Sequence, residues 1–168
     1  KWGFDVNDQI ANTIGAGWFY ARSRVDFLKH FDIKMSYYPS DYSRTEEGIE
    51  ELGKKNQGFS FINYIFLDYG GHTYWLSGRV WEFLPERWQT YWPKFLALSV
   101  GVSAHNLKTD RKQQREYYFS LDYDFSKILP ANKKGWKTIT EMLNYIHFPA
   151  PAVRISPDFK GFLLYYSQ

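Results

Sequence analysis

The most constraining feature of this sequence is a strict two-residue alternation near its centre. Tyr117, Phe119, Leu121, Tyr123 and Phe125 are interleaved with Tyr118, Ser120, Asp122 and Asp124. Successive side chains of a strand point to opposite faces, so a run of this kind specifies a β-strand with one apolar and one more polar face. The same signal recurs in Leu96, Leu98, Val100, Val102 and Ala104 against Ala97, Ser99, Gly101 and Ser103. It recurs again in Thr73, Trp75, Ser77 and Arg79 against Tyr74, Leu76, Gly78 and Val80, and in Phe31, Ile33, Met35 and Tyr37 against Asp32, Lys34 and Ser36. Val153 and Ile155, then Phe162, Leu164 and Tyr166, read as a closing hairpin around Pro157 and Asp158.

Helical spacing appears in three other places. Ile10, Ile14, Trp18, Ala21, Val25 and Leu28 recur at intervals of four and three, with Asn7 or Asp8 as the N-cap. On an adjacent face, Ala11 and Gly15, and Thr13, Gly17 and Ala21, form ridges of small residues. These suit either tight packing on a sheet or a partner helix outside this sequence. Phe61, Ile62, Ile65 and Phe66 predict a short helix closed by Gly70 and Gly71, and Trp136, Ile139, Leu143 and Ile146 predict another that Pro149 and Pro151 stop. Ser40 to Gly58, with Glu46, Glu47, Glu50 and Glu51, reads as an exposed loop with at most one helical turn.

Strands joined by connections of moderate length predict an α+β protein, mainly β with helices. The sheet is an antiparallel meander, either a curved sheet or a small barrel, with an N-terminal helix packed on it. At 168 residues, without repeats or a linker, residues 1–168 make a single domain. An integral outer-membrane barrel fits less well, because charged loops and interposed helices interrupt the strands.

Composition then narrows the function. Aromatic residues make up 21% of the chain, 14 Phe, 14 Tyr and 7 Trp, at a mean hydropathy of −0.51. That excess suits contact surfaces as well as a core. A net charge of +3 with scattered basic residues argues against nucleic acid, and the absence of cysteine excludes disulfides, thiolate zinc sites and a thiol nucleophile. No apolar run approaches the roughly 20 residues of a spanning helix. The start at Lys1, directly before helical sequence, suggests that an N-terminal portion precedes it.

No established catalytic or metal motif occurs. His30, His72, His105 and His147 lie too far apart in sequence for paired ligation, and no P-loop, dinucleotide fingerprint or nucleophile elbow is present. Asp122 and Asp124 stand about 7 Å apart along one strand face. They could act as an acid and base or hold a cation, and they read more simply as the solvated face of a half-buried strand or as partners for nearby Lys or Arg. Asp68-Tyr69-Gly70-Gly71-His72 is the most motif-like cluster, since paired glycines allow close backbone approach to a ligand, and a helix-to-strand turn explains it more simply. These residues carry no catalytic, cofactor or metal assignment.

The order of several phrases carries a resemblance. Trp2-Gly3-Phe4 through Asn12-Thr13-Ile14-Gly15, Lys34 to Pro39, Asp68 to Ser77, Trp92-Pro93-Lys94 and Arg115 to Asp122 together resemble the C-terminal half of an uncharacterised family of predicted periplasmic lipoproteins, similar to YfiM and widespread in Bacteroidota. Its full-length members carry upstream hydrophobic helices with an Asp-Lys-x-Gly-His phrase, which this sequence lacks. The resemblance implies a periplasmic, outer-membrane-associated protein whose partners include those N-terminal helices. It also implies a non-catalytic function, plugging or gating a large outer-membrane β-barrel translocon of the type nine secretion system. Tyr69, His72, Tyr74, Trp75, Trp81, Trp88 and Trp92 are the expected partner-binding residues, with membrane or lipid contact as a further expectation. Amphipathic strands that enclose an apolar cavity would make the alternative, a periplasmic binding module for lipid or another hydrophobic ligand.

Overall fold

The computed structural model describes residues 6–54, 65–106, 112–129 and 134–165. The chain divides into two units, residues 1–31 and 32–168. The first is built on helix α1 (Val6–Arg24), followed by a 3-10 turn at Asp26–His30. The helix already includes Asn7 and Asp8, so neither is its N-cap. Ile10, Ile14, Phe19 and Tyr20 are exposed, and a Cβ added at Gly15 or Gly17 would meet nothing within 4 Å.

The second unit is organised by one antiparallel sheet in the order β1-β2-β3-β4-β5-β6: Phe31–Tyr37, His72–Gly78, Leu96–His105, Gln114–Tyr123, Ala152–Ser156 and Lys160–Phe162. It is the expected meander, and it is open: the order is linear, so the small barrel does not form. Helix accounts for about 42% and strand for about 32% of the structure, because short helices and 3-10 turns fill the connections. The 10-residue strands β3 and β4 hold the centre, in register from Leu96 opposite Tyr123 to His105 opposite Gln114. The closing hairpin forms as β5 and β6, with Tyr166 outside the described residues.

The stretch expected to be a loop contains helix α2 (Glu46–Lys54). Its start is explained locally: the Thr45 hydroxyl accepts the Gly48 N–H at 3.0 Å, and Glu46 and Glu47 occupy the first turn. Leu52 is buried and anchors it. Gly48 is required sterically, since a Cβ there would lie 1.9 Å from the Tyr42 carbonyl oxygen. Most of the helix expected around Phe61 and Ile62 lies outside the described residues. Residues 65–67 are helical, and a 3-10 turn at Tyr69–Gly71 leads into β2. The Trp-rich connection from β2 to β3 contains a 3-10 turn at Val80–Phe83 and a short helix α3 (Glu86–Gln89). Helix α4 (Lys134–Leu143) follows β4, and past its end Met35 and Ile146 form a parallel bridge.

Register assigns the two sheet faces. Thr73 lies opposite Ser103, Trp75 opposite Gly101, and Ser77 opposite Ser99, which lies opposite Ser120. This set is buried, and so are Asp32, Lys34, Glu116, Tyr118 and Asp122. The other set, Ile33, Tyr74, Leu76, Val100, Val102, Tyr117 and Phe119, is 39–52% exposed. The alternation was therefore legible, but its sense is inverted: the polar face is inside. Among the described residues seven apolar and sixteen polar or charged residues are buried. Asp122 and Asp124 are 0% and 3% exposed, so the solvated face expected for them does not hold, and the other expectation, pairing with Lys or Arg, does, through Lys34 and Arg79.

Candidate functional site: an ionic interior and an apolar exterior face

The inner face is built around charged and hydroxyl groups. The Lys34 ammonium lies 2.9 Å from Asp122 Oδ2, with both side chains essentially inaccessible, and donates to the Tyr123 carbonyl oxygen at 2.7 Å. Contact with Oδ2 is an ion pair by distance without hydrogen-bond geometry. Asp122 Oδ1 accepts the N–H of Tyr123. Arg79 spans two carboxylates, Nη2 to Asp32 and Nε to Asp124, each at 2.8 Å. Burial raises the Asp124 pKa, but the hydrogen bonds from Ser126, the Arg79 charge and Asn144 outweigh it and hold the carboxyl below its ordinary value. Toward the other strand end, Glu116 gathers Arg154 at 2.9 Å, His105 at 3.2 Å and the Tyr118 hydroxyl.

Between these groups sits the aromatic part of the core, Trp75, Tyr118 and Tyr165, in edge and tilted contacts. Trp75 stacks on His147 with centroids 3.9 Å apart and planes 10° apart. Its ring lies over Gly101, where a Cβ would come within 2.5 Å of it. The Trp75 indole N–H donates to the Ser36 hydroxyl at 2.9 Å.

His147 Nε2 lies 3.1 Å from the Ser99 hydroxyl, a pairing that invites comparison with a nucleophile and its base. The surroundings do not equip it for that chemistry. Ser99 is 1% and His147 2% exposed, and Asp122, the carboxylate whose charge acts on His147, is engaged by Lys34 and a backbone N–H and makes no hydrogen bond to the imidazole. Burial, reinforced by Lys34, lowers the His147 pKa to about 4 against the opposing charge of Asp122, so the ring is neutral at neutral pH. A cleft of about 300 Å³ reaches this ring between Tyr37, Tyr38, Phe148 and Tyr165. No group of three metal-ligating side chains occurs among the described residues.

The residues expected to meet a partner separate into two sets. Tyr69, Tyr74 and Trp88 are exposed, and Trp81 and Trp92 are partly so. Trp75 and His72 are 1% and 5% exposed and cannot meet a partner in the folded chain. Trp75 points inward because its register position opposite Gly101 does. His72 is held through Nε2 by the Ile65 carbonyl oxygen, with Tyr37, Tyr69 and Tyr74 packed edge-on around it. The Trp81 and Trp92 indole N–H groups donate to the carbonyls of Gln89 and Leu96, so both rings are fixed at the β3 end of the sheet, and Lys94 lies 4.4 Å from the Trp81 ring centre.

The expected residues included only Tyr74 of the outer sheet face. Its rows run Tyr74, Val102, Tyr117; then Leu76, Val100, Phe119, Val153; then Leu98, Leu121; then Leu96, Tyr123. Taking roughly 150–200 Å² for each large side chain, the seven most exposed residues of this face present on the order of 500–600 Å² of mainly apolar surface. That is at the upper end of what a monomer shows to water. The class defined by fold and site is an open α+β meander with an ionic interior and an apolar exterior face. Compared with known proteins, the chain matches no family model, no curated protein and no solved structure.

Proposed function

We propose that this chain is a non-catalytic interaction module of the bacterial envelope that works through its outer sheet face, docking at the periplasmic side of a large outer-membrane β-barrel translocon of the type nine kind. The observation that carries the reading is the inversion of the sheet. A chain that buries Lys34, Asp32, Asp122 and Asp124 while exposing Ile33, Leu76, Val100 and Phe119 is arranged for an apolar surrounding. Exposed Trp88 and Tyr91, with partly exposed Trp81, lie in the connection from β2 to β3 and are side chains that suit interface anchors. The sequence resemblance supplies the compartment and the partner class. The alternative, a module enclosing a hydrophobic ligand, is less well supported, because the enclosed side of the sheet is the charged side.

Affinity purification of the full chain from envelopes in mild detergent tests the reading. Wild type should recover a large outer-membrane β-barrel protein, and Val100→Asp combined with Phe119→Asp should lose it. Recovery of the chain alone, or a capture indifferent to the two substitutions, overturns the proposal.

A further inference from the structure

We infer that residues 145–151, the segment joining α4 to β5, form a pH-sensitive latch on the inner face of the sheet, released by a proton on His147 while β3 and β4 stay paired. The latch lies on the face opposite the docking surface and does not rest on the reading above.

The segment is fastened at both sides. The Met35 N–H donates to the Tyr145 carbonyl at 2.9 Å and the His147 N–H to the Met35 carbonyl at 3.0 Å, which holds it along the outer edge of β1. Farther on, the carbonyls of Ala150 and Pro151 accept the N–H groups of Tyr165 and Leu121, each at 3.0 Å. Pro149 and Pro151 have no N–H to donate. These bonds are few beside the ladder that pairs the ten residues of β3 with those of β4, and local opening begins where backbone pairing is thinnest. Asn144 marks one end of the movable part, because its side chain is tied to Asp124 and to the Phe125 N–H.

Between these fastenings the His147 ring is inserted into the core, stacked on Trp75 of β2 and bonded to Ser99 of β3. The Ser99 hydroxyl gives its one proton to the Ser120 carbonyl, so the bond between Ser99 and the imidazole is donated by Nε2–H. Nδ1 is therefore the basic nitrogen, and it is buried without a hydrogen-bond partner. A proton there creates an N–H with no acceptor in place, on a ring whose charged neighbours are Lys34 on β1 and Asp122 on β4 and whose titratable neighbours along the cleft are Tyr37, Tyr38 and Tyr165. Burial, reinforced by Lys34, outweighs the pull of Asp122 and of the Leu121 and His147 carbonyls, and the pKa falls to about 4. In the released segment the imidazole meets water and regains its ordinary value of 6.5. The docked state is thus fully favoured above 6.5 and loses ground as pH falls from 6.5 toward 4, so that between pH 7 and pH 4.5 the opening constant rises roughly 60-fold. Release uncovers the stacked face of Trp75 and leaves Met35 at the sheet edge without its partner.

Native-state hydrogen exchange of the whole chain tests this, read by NMR as protection factors corrected for the intrinsic pH dependence of exchange. The amides of Met35, His147 and Tyr165 should share one opening, more frequent at pH 7 than the opening that exposes the amides between β3 and β4. At pH 4.5 its equilibrium constant should be roughly 60-fold larger, and in His147→Gln, checked for folding by near-ultraviolet circular dichroism, it should not rise. Latch amides that exchange only together with those of β3 and β4, a latch opening indifferent to pH, or a rise that survives His147→Gln each overturn the inference. The first two outcomes are read in the unaltered chain, so the test stands even where the variant fails to fold.

Discussion

Replacing Lys34 by methionine tests the ionic character of the interior. Lys34 Nζ and Asp122 Oδ2 are 2.9 Å apart with side-chain exposures of 1% and 0%, so removing the ammonium strands a carboxylate that water does not reach. Breaking one half of such a pair costs about 3–5 kcal/mol, and the hydrogen bond to the Tyr123 carbonyl is lost with it. Against a typical domain stability of roughly 5–15 kcal/mol, the single variant should unfold at a much lower urea concentration. Lys34→Met with Asp122→Leu removes both charges at similar volume and should recover most of the loss, because desolvation of two ions offsets much of their attraction. Urea unfolding followed by tryptophan fluorescence reads both, since Trp75 lies in the same core. A single variant within about 0.5 kcal/mol of wild type, the size of an ordinary surface substitution, would refute a buried pair. A double variant no more stable than the single one would show that packing, not charge, sets the cost.

Gly101→Ala should destabilise by about 1–3 kcal/mol, because the new Cβ would lie 2.5 Å from the Trp75 ring; an unchanged urea midpoint would contradict the stacking of Trp75 over the glycine. Stability should also fall as pH drops from 6.5 toward 4. The unfolded His147 takes up a proton below 6.5 and the folded one only near 4, a gap worth on the order of 3 kcal/mol at 1.36 kcal/mol per pH unit. His147→Gln should flatten that slope, and the depressed Asp124 carboxyl acts in a separate window, its contribution being lost below its ordinary value of 3.8. Val100→Ser with Phe119→Ser, both on the exposed face, should change stability by little more than about 0.5 kcal/mol each while reducing self-association in light scattering. Equal loss of folding would place those side chains in a core.

The sequence alone determined a good deal. The two-residue alternation in β3 and β4 located the strands and their antiparallel neighbours, since period and turn spacing are local properties. Lys134–Leu143 likewise announced itself by helical spacing. What the sequence did not carry was the direction of the alternation. A row of Ser99, Ser120 and Asp122 opposite Val100, Phe119 and Leu121 is the same pattern whichever side is buried. Local convention assigns the polar row to water. Only the tertiary structure decided otherwise, by bringing Lys34 from β1, Arg79 from the end of β2 and Arg154 from β5 onto carboxylates of other elements. Those pairings join residues as far apart as Lys34 and Asp122, so no window of sequence shows them. The same long-range geometry put Trp75 and His72 inside and left Tyr74 and Trp88 outside. Aromatic content announced a contact surface, and the register of the sheet decided which aromatics belong to it.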